Sequence, residues 1–355
     1  MQTKMVPTKF TKCLWATGFI IVTYIICQQR PWEVLHTTRY FTPTDFFLGQ
    51  QKAKVDALLL QQRNHSNEIQ NFVTLHDWKL EDPWPGEQKR RAAAVRRECR
   101  GWKKKPQHLP SSLENLTQLL VDDYHRAIYC YIPKVACTNW KRLWMILTGL
   151  TTIKDPVLIP YDLPHKIHER MMLIKQPISI STLQEKLLTY SKIIVVRNPY
   201  ERLISAFKDK FEGTGKAYYK RNYAHHIMKT YRKNANTSEI PVSGDGLTFS
   251  EFVTYIINLS RGNYDEHWKP YADSCYPCGI HYDVIAKYET MAEDSDRFLK
   301  LIKAPSDLHF PKYAPTNTSK LISSYMAKLS THQRKALYSV YEKDFKMFQY
   351  NEIRN

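Results

Sequence analysis

Residues 128–150 read IYCYIPKVACTNWKRLWMILTGL. Ile128, Tyr129, Tyr131 and Ile132 form a short β-branched and aromatic run that Pro133 ends, which predicts a strand. Trp140, Leu143, Trp144, Leu147 and Leu150 then recur at the spacing of one helix face, with Thr138 or Asn139 as the predicted cap. The same succession returns in SKIIVVRNPYERLISAFKDKF, residues 191–211. There Ile193 to Val196 read as a strand buried on both faces, and Pro199 suits a first helical turn. Tyr200, Leu203, Ile204, Phe207 and Phe211 make the apolar stripe. YDVIAKYET, residues 282–290, is a third candidate strand, and helical periodicity runs through FSEFVTYIINL, RFLKLI and HQRKALYSVYEKDFKMF. Strands that feed helices predict an α/β domain with a central parallel sheet over residues 99–355.

The first quarter of the chain is patterned differently. Residues 13–29, between Lys12 and Arg30, carry no charge. That length is at the short end of what spans a bilayer and predicts a transmembrane signal anchor, since no small-residue cleavage site follows it. Lys4, Lys9 and Lys12 precede it, so residues 1–12 are expected to be a cytoplasmic tail and the remainder lumenal. Residues 30–98 are polar, with LLLQQRNHSNEIQNF the main helix-like patch, and are expected to form a stem.

Charge adds a partner class. Lysine and arginine outnumber aspartate and glutamate by 52 to 34, a net +18 that calls for a polyanion or an anionic surface. No zinc-finger spacing, basic zipper or RNP-type motif supports nucleic acid, so a polyanionic glycan is the expected partner. The basic run from Lys89 to Lys105 reads either as a solvated helix or as a track for such a polymer. A lumenal location agrees with N-x-S/T triplets at Asn64, Asn115, Asn236, Asn258 and Asn317. Among the cysteines beyond the anchor, Cys99, Cys275 and Cys278 are the expected disulfide partners, because Cys137 falls in the loop discussed next. The pairing among Cys99, Cys130, Cys137, Cys275 and Cys278 stays open. No metal is expected, for want of a convincing ligand cluster.

The candidate chemistry sits where the two strands end. Backbone N–H groups of Val135 to Asn139 would point past a helix start, where the macrodipole is positive, and Lys134 stands beside them. Arg197 follows a central strand, where open α/β sheets bind ligands, and Ser205 lies off the apolar stripe; a guanidinium fork and a hydroxyl suit a phosphate monoester. Arg197 paired with Glu201 on the surface is the structural alternative. The glycine-rich nucleotide loop G-x-x-x-x-G-K-[ST] is absent.

Residues 134–142, KVACTNWKR, and 197–205, RNPYERLIS, about sixty residues apart, resemble the two cofactor motifs of the Golgi carbohydrate sulfotransferases, closest to the chondroitin 4-O-sulfotransferase branch. His267-Trp268, CYPC at 275–278 and YDVIAKYET extend the resemblance from about Cys99 to the C-terminus. It implies a P-loop-like three-layer α/β/α domain and 3′-phosphoadenosine 5′-phosphosulfate (PAPS) as sulfuryl donor. By the same resemblance Pro133, Lys134, Val135, Ala136, Cys137, Thr138 and Asn139 would hold the 5′-phosphosulfate. Arg197, Asn198, Pro199, Tyr200, Glu201, Arg202, Leu203, Ile204 and Ser205 would hold the 3′-phosphate. Lys134 is the expected catalytic cation. A base must take the acceptor hydroxyl's proton, and histidine suits that task. Related enzymes place it after the first motif, which points to His165, with His168 beside it, His267 as rival, and His225 and His226 behind. The implied acceptor is position 4 of GalNAc in chondroitin or dermatan. Glucuronic acid-capped or GalNAc-capped glycans, and a lumenal glycan-binding protein without catalysis, are the alternatives. The implied location is the Golgi membrane as a single-pass type II protein; the oligomeric state stays open.

Overall fold

The computed structural model describes residues 82–101, 116–212, 217–232, 239–312 and 318–352. The predicted tail, anchor and most of the stem lie outside the described residues, as do Asn64, Asn115, Asn236 and Asn317. Among the described residues no helix is long and apolar enough to cross a membrane.

Four strands form one sheet in the order β1 (Leu119–Asp122), β2 (Ala127–Cys130), β3 (Ser191–Val196), β4 (Val284–Lys287). β2, β3 and β4 are parallel, with Cys130 opposite Ile194 and Ile194 opposite Ile285. The sheet is nonetheless mixed, because β1 runs antiparallel to β2. The reason is local: Asp122 Oδ1 accepts the Tyr124 amide at 3.1 Å and Arg126 turns left-handed at φ 50°, closing a hairpin too short for a parallel crossover.

The longer helices are α1 (Trp84–Arg100), α2 (Cys137–Leu147), α3 (Ile180–Thr189), α4 (Pro199–Phe211), α5 (His225–Tyr231), α6 (Phe249–Asn258), α7 (Met291–Leu301), α8 (Thr318–Met326) and α9 (Thr331–Met347). The predicted stripe of α2 is buried with the sheet in one core, where Trp140 and Trp144 pack on Tyr129. The stripe of α4 joins a second, mainly helical core with Phe249, Phe252, Trp268 and Phe345. α6 begins on a capping box between Thr248 and Glu251, and α9 on one between Ser330 and Gln333.

α1 belongs to the packed unit, which therefore begins ahead of Cys99. Trp84, Ala94 and Val95 are buried. Asp294 accepts from Trp84 Nε1 at 2.7 Å, Gln88 Nε2 at 3.0 Å and Arg91 Nη1 at 2.8 Å. Arg91 in the basic run thus points inward and is neither solvated nor part of a polymer track. Two disulfides close the domain, Cys99–Cys278 and Cys130–Cys275. The C-x-x-C cysteines bond outward to separate elements, and Cys130 pairs because β2 ends beside Cys275.

Candidate active site

Two neighbouring parallel strands release their chains at the same edge of a sheet, which is why the segments after β2 and β3 meet. Arg197 Nη1 donates to the carbonyl of Lys134 at 3.4 Å, across 63 residues of sequence.

The turn after β2 is built without glycine. Lys134 and Ala136 both adopt left-handed backbone, at φ 72° and 60°, a conformation costing an ordinary residue about 1–2 kcal/mol. Alternation of handedness in successive residues curls backbone amides into an anion-binding concavity. Ala136, rather than Thr138 or Asn139, is the N-cap of α2, and no side chain caps the helix. Among the described residues the first amide of the turn with a backbone acceptor is that of Asn139, 3.1 Å from Ala136 O. Thr138 is left to meet another group: its Oγ1 lies 2.9 Å from His165 Nε2.

The turn after β3 is arranged differently. Asn198 caps α4 with its own Oδ1, which accepts the amides of Tyr200 at 2.9 Å and Glu201 at 3.4 Å, and Pro199 follows in the first turn. These helix-start amides are already occupied by Asn198, which leaves the arginine as the cationic group of this turn. Arg197 is 1% exposed. Its Nε donates to Glu201 at 3.0 Å, its guanidinium lies 4.1 Å from the centre of the Tyr288 ring, and its backbone amide and carbonyl both bond Tyr271 Oη. The expected Glu201 partner is real, but the pair is buried rather than on the surface.

Other residues of the second motif serve the scaffold. Tyr200, Leu203 and Ile204 are enclosed in the helical core. Arg202 is buried and donates to three carbonyls: Pro133 at 3.1 Å, Lys269 at 2.7 Å and Glu266 at 2.8 Å. It fixes the entrance to the first loop, with its fork spent on carbonyls. In the first motif Val135 is buried and Cys137 is an unpaired, nearly buried thiol. Asn139 Oδ1 accepts from Arg142 at 3.5 Å. Ser205 is half-buried on α4, one turn before Asp209. Asp209 Oδ2 pairs with Lys134 Nζ at 3.2 Å and with Lys210 Nζ at 3.1 Å.

Of the histidines, His165 in the short helix Leu163–Ile167 reaches the first motif through Thr138. His168 Nδ1 donates to the His165 carbonyl at 2.9 Å, and burial with the nearby Lys141 ammonium holds its imidazole below the usual value. His267 Nδ1 lies 2.7 Å from Asp265 Oδ1 and 3.1 Å from Tyr219 Oη. Burial outweighs the Asp265 hydrogen bond and lowers its pKa too. His225 Nδ1 donates to Pro241 O at 3.0 Å on α5.

Asp209 and Tyr271 are site neighbours outside the quoted motifs, and Lys141 and Tyr288 lie inside quoted stretches that gave them no role. Tyr288 had a positional signal, since it follows β4 as Arg197 follows β3; Asp209 had a weaker one, four residues past Ser205 on the same helix face.

An uncapped helix start beside a lysine is joined through its backbone to a buried arginine at the end of the next strand, so both quoted motifs meet at one edge of the sheet. The family model described as "Sulfotransferase family" matches residues 117–351, and the chain belongs to that family: it is a sulfotransferase. It is 39% identical to carbohydrate sulfotransferase 11 of Rattus norvegicus over 242 residues, 67% of this chain and 68% of the relative. It is 34% identical to carbohydrate sulfotransferase 9 of Homo sapiens over 349 residues, 92% and 77% of the two chains. With carbohydrate sulfotransferase 12 of Mus musculus it shares 34% over 258 residues, 68% and 61%. No solved structure matches.

Proposed function

We propose that this enzyme sulfates a hydroxyl of an acidic glycan, position 4 of GalNAc in chondroitin or dermatan, with PAPS as donor. The observation that carries the donor reading is the 3.4 Å contact between Arg197 and the Lys134 carbonyl, which brings both motifs to one place. The chemistry of the groups fits the donor: open amides and a lysine for the 5′ end, a buried guanidinium and the Ser205 hydroxyl for the 3′-phosphate. When bound, PAPS supplies the sulfuryl group.

Lys134 and the α2 amides stabilise the negative charge that gathers on the bridging oxygen as the sulfur–oxygen bond breaks. His165 takes the proton of the acceptor hydroxyl. His165 is favoured over His267 because its ring touches the first motif, whereas the Nδ1 of His267 is committed to Asp265 and Tyr219. The acceptor assignment rests on the motif resemblance, the net +18 charge and the carbohydrate sulfotransferases among the relatives. Attachment to the Golgi membrane through residues 13–29, with the catalytic domain lumenal, is part of the proposal; two disulfides accord with an oxidising compartment.

The test is incubation of the full chain with labelled PAPS and a panel of desulfated polymers, followed by digestion to disaccharides. Label on the 4-position of GalNAc is expected, and Lys134→Ala and Arg197→Ala should each remove it without unfolding the protein. Normal turnover in either variant would refute the site.

A further inference from the structure

Lys141, on the first turns of α2, is 3% exposed, yet among the described residues no carboxylate pairs with it and no acceptor takes a hydrogen bond from it. Its ammonium lies 3.8 Å from the centre of the Tyr131 ring. The Glu266 carboxylate acts on it from beyond ion-pair distance, so this buried cation has lost water without gaining a direct anionic partner. The surroundings are polar on one side only. Tyr131 Oη donates to Glu266 Oε2 at 3.4 Å, and the His168 ring stands edge-on to Tyr131 at 5.6 Å. His168 and Glu266 are only partly buried, so the cluster reaches the surface through these two side chains.

The place of Lys141 separates it from the donor cations. Helical side chains lean toward the N-terminus, so its stem runs back along Cys137 and Thr138, the turn that meets His165. Lys134 instead turns to Asp209 on α4. Lys134 with the α2 amides, and Arg197 with Ser205, already answer the two anionic ends of the donor. A third cation, close to His168 three residues past the proposed base, together with a carboxylate and a tyrosine that can bond sugar hydroxyls, is placed for the other substrate.

We propose that Lys141 binds a hexuronate carboxylate of the acceptor, in a subsite completed by Tyr131, Glu266 and His168. This rests on the acidic-glycan reading above and names the group that makes the glycan acidic. The subsite selects a uronate next to the accepting sugar and holds the chain while Lys134 and His165 act.

The experiment compares desulfated chondroitin with the same polymer after chemical reduction of its carboxyls to alcohols, using the full chain. The wild type should show a KM about tenfold higher for the reduced polymer. Lys141→Met should raise KM for the unreduced polymer to the same level and abolish the difference, and Lys141→Arg should keep part of it. Affinity for adenosine 3′,5′-bisphosphate, by calorimetry, should be unchanged in both variants. Equal KM values for the two polymers in the wild type, a comparison that needs no variant to fold, would overturn the subsite while leaving the sulfotransferase reading intact. So would a Lys141→Met variant that loses adenosine bisphosphate affinity as strongly as acceptor affinity, since the lysine would then serve the donor. No transfer to either polymer would overturn the acceptor reading and this inference with it.

Discussion

The Lys134 ammonium and the Asp209 carboxylate stand 3.2 Å apart, so the cation proposed for the donor's 5′ end already holds an anion of the protein's own. Burial alone would raise the Asp209 carboxyl; the Lys134 and Lys210 ammoniums outweigh it and keep the group below its usual range. Asp209 is then ionised at neutral pH and, on the proposed donor site, competes with the donor for Lys134. Both side chains keep some exposure, 20% and 34%, and pairs of that kind are worth about 0.2–1 kcal/mol. Asp209→Asn should therefore tighten adenosine 3′,5′-bisphosphate binding by roughly 1.5- to 5-fold, measured by calorimetry. Weaker binding would mean that Asp209 supports the site instead of competing within it.

Both strand–helix units are legible in the sequence because their strands are buried on both faces and their helices carry unbroken apolar stripes. β1 is not, since its four residues pair only through a hairpin whose left-handed member is Arg126, with no glycine to mark it. The turn after β2 hides in the same way: Lys134 and Ala136 occupy conformations that glycine would advertise. Arg91 and Cys130 fail for a different reason. Their partners, Asp294 and Cys275, lie 203 and 145 residues away, and neither charge pattern nor cysteine spacing carries information over that distance. Arg202 reads as a ligand arginine in the motif, and only packing shows that its fork is spent on carbonyls.

The two rival histidines make opposite predictions. His165→Ala should lower kcat by about 10²- to 10⁴-fold with adenosine bisphosphate binding retained. His267→Gln should change stability more than rate. Burial depresses the folded pKa of His267, so as pH falls below about 6.5 the unfolded chain takes up a proton that the folded chain resists. The stabilising contribution is complete above the unfolded value and is lost on acidification toward the folded one. Melting temperatures between pH 7 and pH 5 should therefore fall more steeply in the wild type than in His267→Gln. A large kcat loss in His267→Gln alone would move the base from one histidine to the other.

Arg202 joins the turn after β2 to the segment that carries His267 through three carbonyl hydrogen bonds. Arg202→Ala leaves all three acceptors without that partner and should cost about 3 kcal/mol or more in urea unfolding. Arg202→Lys keeps the charge but lacks the fork that reaches three carbonyls, so it should recover only part of the loss. If lysine restored full stability, charge and not geometry would be what the position needs.

The two disulfides should be separable by what their loss does to the site. Cys99–Cys278 ties the end of α1 to the CYPC segment, and Cys130–Cys275 ties the end of β2 to the short helix Tyr271–Ser274. The second bond lies three residues before Pro133 in one direction. In the other it lies four residues after Tyr271, whose hydroxyl accepts the Arg197 amide at 3.1 Å and donates to the Arg197 carbonyl at 2.9 Å. Loss of either disulfide should cost about 2–5 kcal/mol, since each closes a long loop of the unfolded chain. Only loss of the second should also disturb how Lys134 and Arg197 face each other. Cys99→Ala with Cys278→Ala is expected to lower the melting temperature at nearly constant adenosine bisphosphate affinity, whereas Cys130→Ala with Cys275→Ala lowers both. Equal affinities in the two double variants would show that the sheet and Arg202 alone keep the motifs in register.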